Sequence, residues 1–288
     1  MLSIYTPTYN RGDLLGRCYE SLCNQDSKDF EWIIVDDGST DDTYDIVQQW
    51  IEERKIRIRY HYKENGGVHT ARNIGCELAK GELCVCIDSD DFLANGAVSS
   101  ILNFWKKNKT KSVVGIVGLN ALSNRKIVGT KLPVDIKSEK LYNLYRKLGV
   151  KGDKKLVYRT ELIKNYKYPV FKGEKRVPPS YVYFKMDKEG DLLLMNEVLC
   201  IVEYQNDGIS KNLSKDIKNS PNGMKLYYQF LMDIASSPKE KYKYASHYGA
   251  LRMSAGLSFK EIYSESKAKF FTLLTLPTSI YLYIRNYK

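Results

Sequence analysis

The chain has 288 residues, of which 43% are hydrophobic and 27% charged, proportions that allow a sizeable core and exclude a disordered or fibrous protein. Its net charge of +11 favours a polyanionic partner such as nucleic acid, an anionic membrane or a nucleotide diphosphate. The Lys and Arg residues are nevertheless spread over positions 106–188 and 211–288 without a nucleic-acid motif, so nucleic acid is not an expected partner.

Twenty-three Tyr residues, many interleaved with Lys in the second half, supply amphipathic side chains that suit sugars, interfaces or nucleic acid. The six cysteines (Cys18, Cys23, Cys76, Cys84, Cys86 and Cys200) show no paired metal-ligand spacing, and no secretory leader is read at the start. A reducing, cytoplasmic setting is expected.

In chain order, residues 2–6 form a β-rich run ended by Pro7, and Asn10-Arg11-Gly12-Asp13 opens a helix with Leu14, Leu15, Cys18 and Leu22 at helical spacing. Residues 30–35 read as a second strand stopping in Asp36-Asp37-Gly38-Ser39-Thr40-Asp41, followed by a helix over 43–53. Residues 56–62 alternate as a third strand, after which Asn65-Gly66-Gly67 leads into a helix that stops near Gly81. Residues 83–87 are a fourth strand, apolar throughout as in a sheet buried on both faces, and Asp88-Ser89-Asp90-Asp91 ends it.

Strands alternating with helices predict a largely parallel sheet with right-handed crossovers, whose strand-end loops converge on one pocket. Asp88 and Asp90 are therefore expected at the pocket edge. Three carboxylates so close repel one another unless a cation or hydrogen-bond donors compensate, and oxygen donors suit Mg²⁺ or Mn²⁺. A turn capping a helix accounts for the same residues on local grounds. The Asn65-Gly66-Gly67 loop is placed to turn backbone N–H groups and Arg72 toward a phosphate, although a plain turn also explains its glycines. His61, His69 and His247 are too dispersed to form a ligand pair.

Pro7-Thr8-Tyr9-Asn10, Val35-Asp36-Asp37-Gly38-Ser39-Thr40-Asp41, Asn65-Gly66-Gly67 with Ala71-Arg72-Asn73, and Asp88-Ser89-Asp90-Asp91 together resemble the motifs of family 2 glycosyltransferases with the GT-A fold. The likeness is strong over residues 1–100 and looser beyond. It implies an α/β fold with a mostly parallel sheet flanked by helices: a Rossmann-like nucleotide-sugar-binding half at 1–100, a variable acceptor-binding half of the same domain at 101–212, and a helical region at 213–288 with membrane association open. It also implies that Pro7, Tyr9 and Asp37 surround a uracil or similar base, Tyr9 stacking and Asp37 accepting an imide N–H. Asn65, Gly67 and Arg72 would serve the nucleotide. Asp88 would hold the ribose and, with Asp90, a Mn²⁺ or Mg²⁺ ion, Asp91 being a competing ligand.

Further along, residues 97–105 read as a helix and 112–119, 154–159, 192–195 and 198–204 as strands. Phe171-Lys172-Gly173-Glu174-Lys175-Arg176 resembles the place where the family carries its general base, although Lys175 stands where a second acid is usual. Glu174 is the first candidate, Asp187 and Asp191 the alternatives, and a surface salt-bridging Glu174 is the competing reading. The apolar, aromatic run at 270–284 is broken by Pro277 and falls short of the roughly 18 to 20 apolar residues that span a bilayer, leaving a core helix or an interfacial segment.

The expected function is an inverting, metal-dependent hexosyl- or N-acetylhexosaminyl-transferase that takes a sugar from a UDP-sugar or other nucleotide-sugar donor. Its acceptor would be a hydroxyl of a glycan or lipid-linked glycan, in bacterial surface polysaccharide synthesis. The protein would be cytoplasmic, and peripheral on the inner face of the cytoplasmic membrane if its basic, aromatic tail meets anionic lipid. A GT-A-like nucleotidyltransferase, releasing pyrophosphate, and a basic nucleic-acid or membrane binding module without catalysis are the alternatives.

Overall fold

β1 (Leu2–Thr8) and β2 (Phe30–Asp36) are buried along their whole length, as strands covered by helices on both faces must be. The computed structural model describes residues 1–203 and 218–287. The elements after β1 begin with α1 (Gly12–Cys23), β2, α2 (Thr43–Glu53), β3 (Ile58–Tyr62), α3 (Val68–Leu78), β4 (Leu83–Cys86), β5 (Phe92–Leu93), α4 (Ala97–Asn108) and β6 (Val113–Ala121). They continue with β7 (Ser138–Glu139), α5 (Leu141–Arg146), β8 (Lys154–Arg159), α6 (Thr160–Ile163), α7 (Ser180–Met186) and β9 (Asp191–Ile201). The last helices are α8 (Pro221–Ile234), α9 (Pro238–Ser254), α10 (Phe259–Glu265), α11 (Lys269–Leu274) and α12 (Leu276–Tyr287). The chain divides into two units: Met1–Lys167 with Val182–Gln205, and Tyr168–Tyr181 with Asn206–Lys288.

The first unit holds a sheet in the order β3-β2-β1-β4-β8-β6-β9-β5, with β7 on β9. Its first four strands are parallel, Leu2 facing Phe30 on one side and Leu83 on the other. β8 runs antiparallel to both β4 and β6, and β9 runs parallel to β6. Because β2 and β3 lie on one side of β1 and β4 on the other, the chain order reverses at β1. Ligands of such sheets bind outside the carboxyl ends of the strands flanking that reversal.

Alternate residues of these strands serve the two faces. Ile4, Trp32, Ile34 and Val85 pack with Leu15, Leu22, Val47 and Trp50 of α1 and α2, and Tyr19 stacks on Trp50 at 4.4 Å between ring centroids. Tyr5 faces the other way, toward α3. A Cβ on Gly75 of α3 would lie 2.4 Å from the Tyr5 ring, so glycine is what lets this helix seat.

Two strands expected at 192–195 and 198–204 are one, β9, whose pairing with β6 carries register shifts around Leu119; Tyr204 lies outside the described residues. The polar pair Asn196-Glu197 reads as a break, but Asn196 turns its amide to the backbone of Leu132, accepting from its N–H at 2.8 Å and donating to its carbonyl at 3.0 Å. The irregularity is a bulge held by a side chain.

The second unit is helical over 221–287, as expected for the tail. Met224, Leu231, Met232, Tyr244, Tyr248 and Leu251 form its buried interior. Ser237 caps α9, and Ser258 with Glu261 forms a reciprocal capping box on α10.

Candidate active site

The loops that follow β1 and β2 are laced together. Asp37 N donates to the Thr8 carbonyl at 2.8 Å, Asn10 N to Ser39 Oγ at 2.9 Å, Thr40 N to Asn10 Oδ1 at 2.7 Å, and Gly12 N to Asp41 Oδ2 at 3.1 Å. Gly38 has φ +86°, and a Cβ there would meet the Asn65 amide nitrogen at 2.9 Å. Only glycine satisfies both the backbone angle and the close approach. On this platform Pro7 is buried and Tyr9 is 46% exposed, an open ring beside the strand ends.

Asp37 ties the third loop to the other two. Its Oδ1 accepts from Gly66 N at 2.9 Å and from Lys63, and its Oδ2 accepts from Gly67 N at 2.8 Å and Asn65 Nδ2 at 3.4 Å. Two donors on each oxygen fill the carboxylate. The charge also lies next to the first residues of α3, where a helix terminus favours an anion.

The acidic loop after β4 is held by two cations. Arg72 of α3 donates from Nη2 to Asp88 Oδ1 at 2.9 Å. Lys155 of β8 donates to the Cys86 carbonyl at 3.2 Å and stands 3.9 Å from Asp91 Oδ2. The Asp88 side chain is 45% exposed. Burial opposes its ionisation, but Arg72 and Lys155 outweigh burial and hold the carboxyl below its ordinary range. Asp91 is the contrary case: burial, with Asp88 and Asp90 beside it, pushes it up to about 7 against the pull of Lys155. Burial also penalises the charge on Lys155, yet Cys200, Asp91 and Asp88 around it raise its pKa.

Two of the three base candidates, Asp187 and Asp191, belong to the first unit. Since β8 reverses β4 and β6 reverses β8, β9 runs in the direction of β4 and begins at the edge where β4 begins. Asp191, the first residue of β9, therefore stands at the opposite end of the sheet from Asp88. Asp187, just before it, accepts from the N–H groups of Leu141 and Tyr142 at 2.9 and 2.8 Å and caps α5; burial pushes it up to about 6. Glu174, in the second unit, is buried and accepts from Asn222 N, Asn222 Nδ2 and Gly223 N. Its carboxylate is engaged by the start of α8, and its burial departs from a solvated surface salt bridge. A hollow of about 200 Å³ lined by Met1, Lys28, Asp29, Phe30, Ile56 and Arg57 opens at the amino ends of β1 and β2 and is not part of this site.

Residues 3–167 match the family model described as glycosyl transferase family 2. The chain belongs to that family. A relative, the poly(ribitol-phosphate) beta-glucosyltransferase of Bacillus spizizenii, is 36% identical over 123 residues, 41% of this chain and 19% of the relative. The segments shared with the first curated relatives make up only 12 to 19% of those proteins' length. The crystal structure of S. aureus TarS 1-349 in complex with UDP-GlcNAc superposes with a TM-score of 0.62 at 19% identity, covering 98% of this chain and 89% of that one. The mannosyltransferase PcManGT from Pyrobaculum calidifontis, in complex with GDP-Man and Mn²⁺, gives 0.57 at 16%, covering 99% and 81%. These likenesses establish the GT-A fold.

For a family 2 protein the acidic loop is suited to a divalent cation by its donor chemistry. Asp88 and Asp90 are partly exposed carboxylates of one short loop, and Mg²⁺ is commonly held by one or two carboxylates together with substrate phosphates. Among the described residues no group of three acids, histidines or cysteines is gathered closely enough to hold a metal ion by itself. Two residues of this site escape sequence reasoning. Lys155 gives no local signal, because its position depends on antiparallel pairing with β4. Thr8, inside the first motif, has a buried hydroxyl with no hydrogen-bond partner in the structure, at the carboxyl end of β1.

Proposed function

We propose that this family 2 protein is an inverting glycosyltransferase that moves a hexosyl or N-acetylhexosaminyl group from a nucleotide-diphosphate donor, a UDP-sugar, to a hydroxyl of a glycan or lipid-linked glycan. The observation that carries this reading is the joining of three strand-end loops by Asp37 beside the Arg72–Asp88 pair, at the reversal of the sheet order. The complexes of TarS with UDP-GlcNAc and of PcManGT with GDP-Man and Mn²⁺ support a nucleotide-sugar donor. The B. spizizenii relative, a poly(ribitol-phosphate) beta-glucosyltransferase, supports a polymeric acceptor as the broader setting.

In this reading Tyr9 stacks on the base, and the imide N–H reaches Asp37 by displacing Asn65 or Lys63 from a filled carboxylate. Thr8, Asn65 and Gly67 border the nucleoside. Arg72 exchanges Asp88 for diphosphate oxygens, releasing Asp88 to the ribose and, with Asp90, to Mn²⁺ or Mg²⁺. That ion, when bound, would offset the charge that grows on the leaving diphosphate. Asp91 stays with Lys155. We assign Glu174 to the anchoring of α8 and not to proton transfer.

The test is calorimetry with UDP-sugars and UDP, with and without Mn²⁺, on the full chain and on Asp88→Asn and Asp90→Asn. Both substitutions should leave the melting temperature near wild type and remove the metal-dependent part of UDP binding. Unchanged metal-dependent affinity in both would overturn the assignment, and release of pyrophosphate from a nucleoside triphosphate would transfer the protein to the nucleotidyltransferases.

A further inference from the structure

In the second unit, α11 and α12 turn their hydroxyls inward and their hydrocarbon outward. Thr272, Thr275 and Ser279 are almost wholly buried. The Ser266 and Thr272 hydroxyls share a hydrogen bond of 2.6 Å, and Thr278 shares another of 2.6 Å with Tyr242 of α9. Ser279 sits against Gly249 of α9, where a Cβ would fall 2.4 Å from its Oγ. The packing of α12 on α9 therefore uses its small, polar side.

The opposite side carries Phe270, Leu273, Leu274, Ile280, Tyr281 and Ile284, all exposed, Phe270 at 71% and Ile284 at 56%. On α12, positions 277, 280, 281 and 284 recur at helical spacing and form one stripe. A helix lying between a protein core and water shows the reverse arrangement, apolar inward and polar outward. Contiguous exposed apolar surface of this kind marks an interaction site.

The charge around the stripe selects the occupant. Residues 266–288 contain Lys267, Lys269, Arg285 and Lys288 and no acidic residue, and Lys267, Lys269 and Arg285 are exposed. A second copy docking by a two-fold contact through the same patch would set this cationic rim against itself. Anionic lipid complements both features, taking the aromatic and aliphatic side chains at the headgroup boundary and the cations at the phosphates. Among the described residues no helix is long and apolar enough to cross a membrane.

We propose that the outward face of α11 and α12 is a docking surface for an anionic membrane, on which these helices lie flat. This goes beyond the donor reading and holds or fails independently of it. The test is sedimentation of the full chain with vesicles of equal parts phosphatidylglycerol and phosphatidylcholine, against vesicles of phosphatidylcholine alone. Binding should need the anionic lipid and weaken with added salt. Lys267→Gln with Lys269→Gln should weaken it roughly 25-fold, about fivefold for each cation removed. Ile280→Ser with Ile284→Ser should weaken it at least about tenfold. Both pairs are on the surface, so melting temperature and UDP affinity should match wild type. Absence of vesicle binding by the wild-type chain, equal binding by both double variants, or a concentration-dependent dimer abolished by Ile280→Ser with Ile284→Ser in a chain that ignores vesicles would each overturn the proposal.

Discussion

Lys155 Nζ lies 3.9 Å from Asp91 Oδ2, and the two side chains are 9% and 11% exposed. The ammonium also holds the Cys86 carbonyl at 3.2 Å, so one buried cation fixes both the last residue of β4 and the far side of the acidic loop. Removing one partner of a buried pair leaves the other charge uncompensated, whereas removing both can be nearly neutral. Lys155→Met should therefore destabilise the chain by roughly 3 kcal/mol and loosen the loop that carries Asp88 and Asp90. Lys155→Met with Asp91→Asn should recover much of that loss. Denaturant melts of the two single variants and the double variant form the cycle that checks it; additive losses would mean that the two groups are not coupled.

Asp37→Ala should weaken UDP and UDP-sugar binding together, and should also lower stability. The carboxylate is the common acceptor for Gly66 N, Gly67 N, Asn65 and Lys63, and orphaned buried donors each cost on the order of 1–3 kcal/mol. A purely ligand-facing acid would leave the melting temperature alone. Calorimetry and a thermal melt on the same preparation separate the two, and an unshifted melt with lost affinity would return Asp37 to a simple base contact.

The first four strands were legible because each signal is local: an unbroken apolar run, then a polar turn with glycine or acid. Asp37 and Asp88 could be placed at one edge on that basis alone. Lys155 could not, since Lys154-Lys155 inside a strand pattern looks like solvent-facing charge, and burial of both follows from Val85 pairing with Val157 across the sheet. The placement of Asp187 and Asp191 was hidden for a related reason. Their distance from Asp88 is set by three successive strand reversals and alignments, which no motif in the chain encodes. The polarity of α12 was likewise hidden, because an apolar run looks the same whether its hydrocarbon faces a core or water.

Asp187 gives a pH dependence of defined sign. Burial raises its pKa from the ordinary 3.8 to about 6, despite the two backbone N–H groups that favour the carboxylate. Between about pH 4 and pH 6 the folded chain thus keeps a proton that the unfolded chain has lost. Stability contributed by this group is fullest below that window, falls as pH rises through it, and is flat above. Asp187→Asn abolishes the titration while keeping a carbonyl oxygen for one of the α5 amides. The wild type should lose on the order of 2 kcal/mol relative to the variant across the window. Denaturant melts at each end of the window measure it, and parallel stability profiles for the two chains would show that Asp187 does not titrate there.

Glu174 anchors α8 from 48 residues away in sequence. Pro221, at the first helical position, has no N–H to offer, and Ser220 at the N-cap makes no side-chain capping bond. The first two available amides, Asn222 N and Gly223 N, therefore turn to Glu174, at 2.9 and 2.8 Å. A negative charge at a helix N-terminus is favoured by the helix dipole as well. Glu174→Gln removes that charge and sets an NH₂ group against amide donors, so it should cost about 1–3 kcal/mol in stability. Turnover per folded molecule should stay within about tenfold of wild type, since loss of a general base costs about 10²- to 10⁴-fold. Melting temperature and glycosyl transfer, measured on the same variant, tell the two roles apart. A lowered melt with preserved turnover identifies the anchor, whereas a preserved melt with turnover down a hundredfold or more would give Glu174 back its place as the acceptor's base.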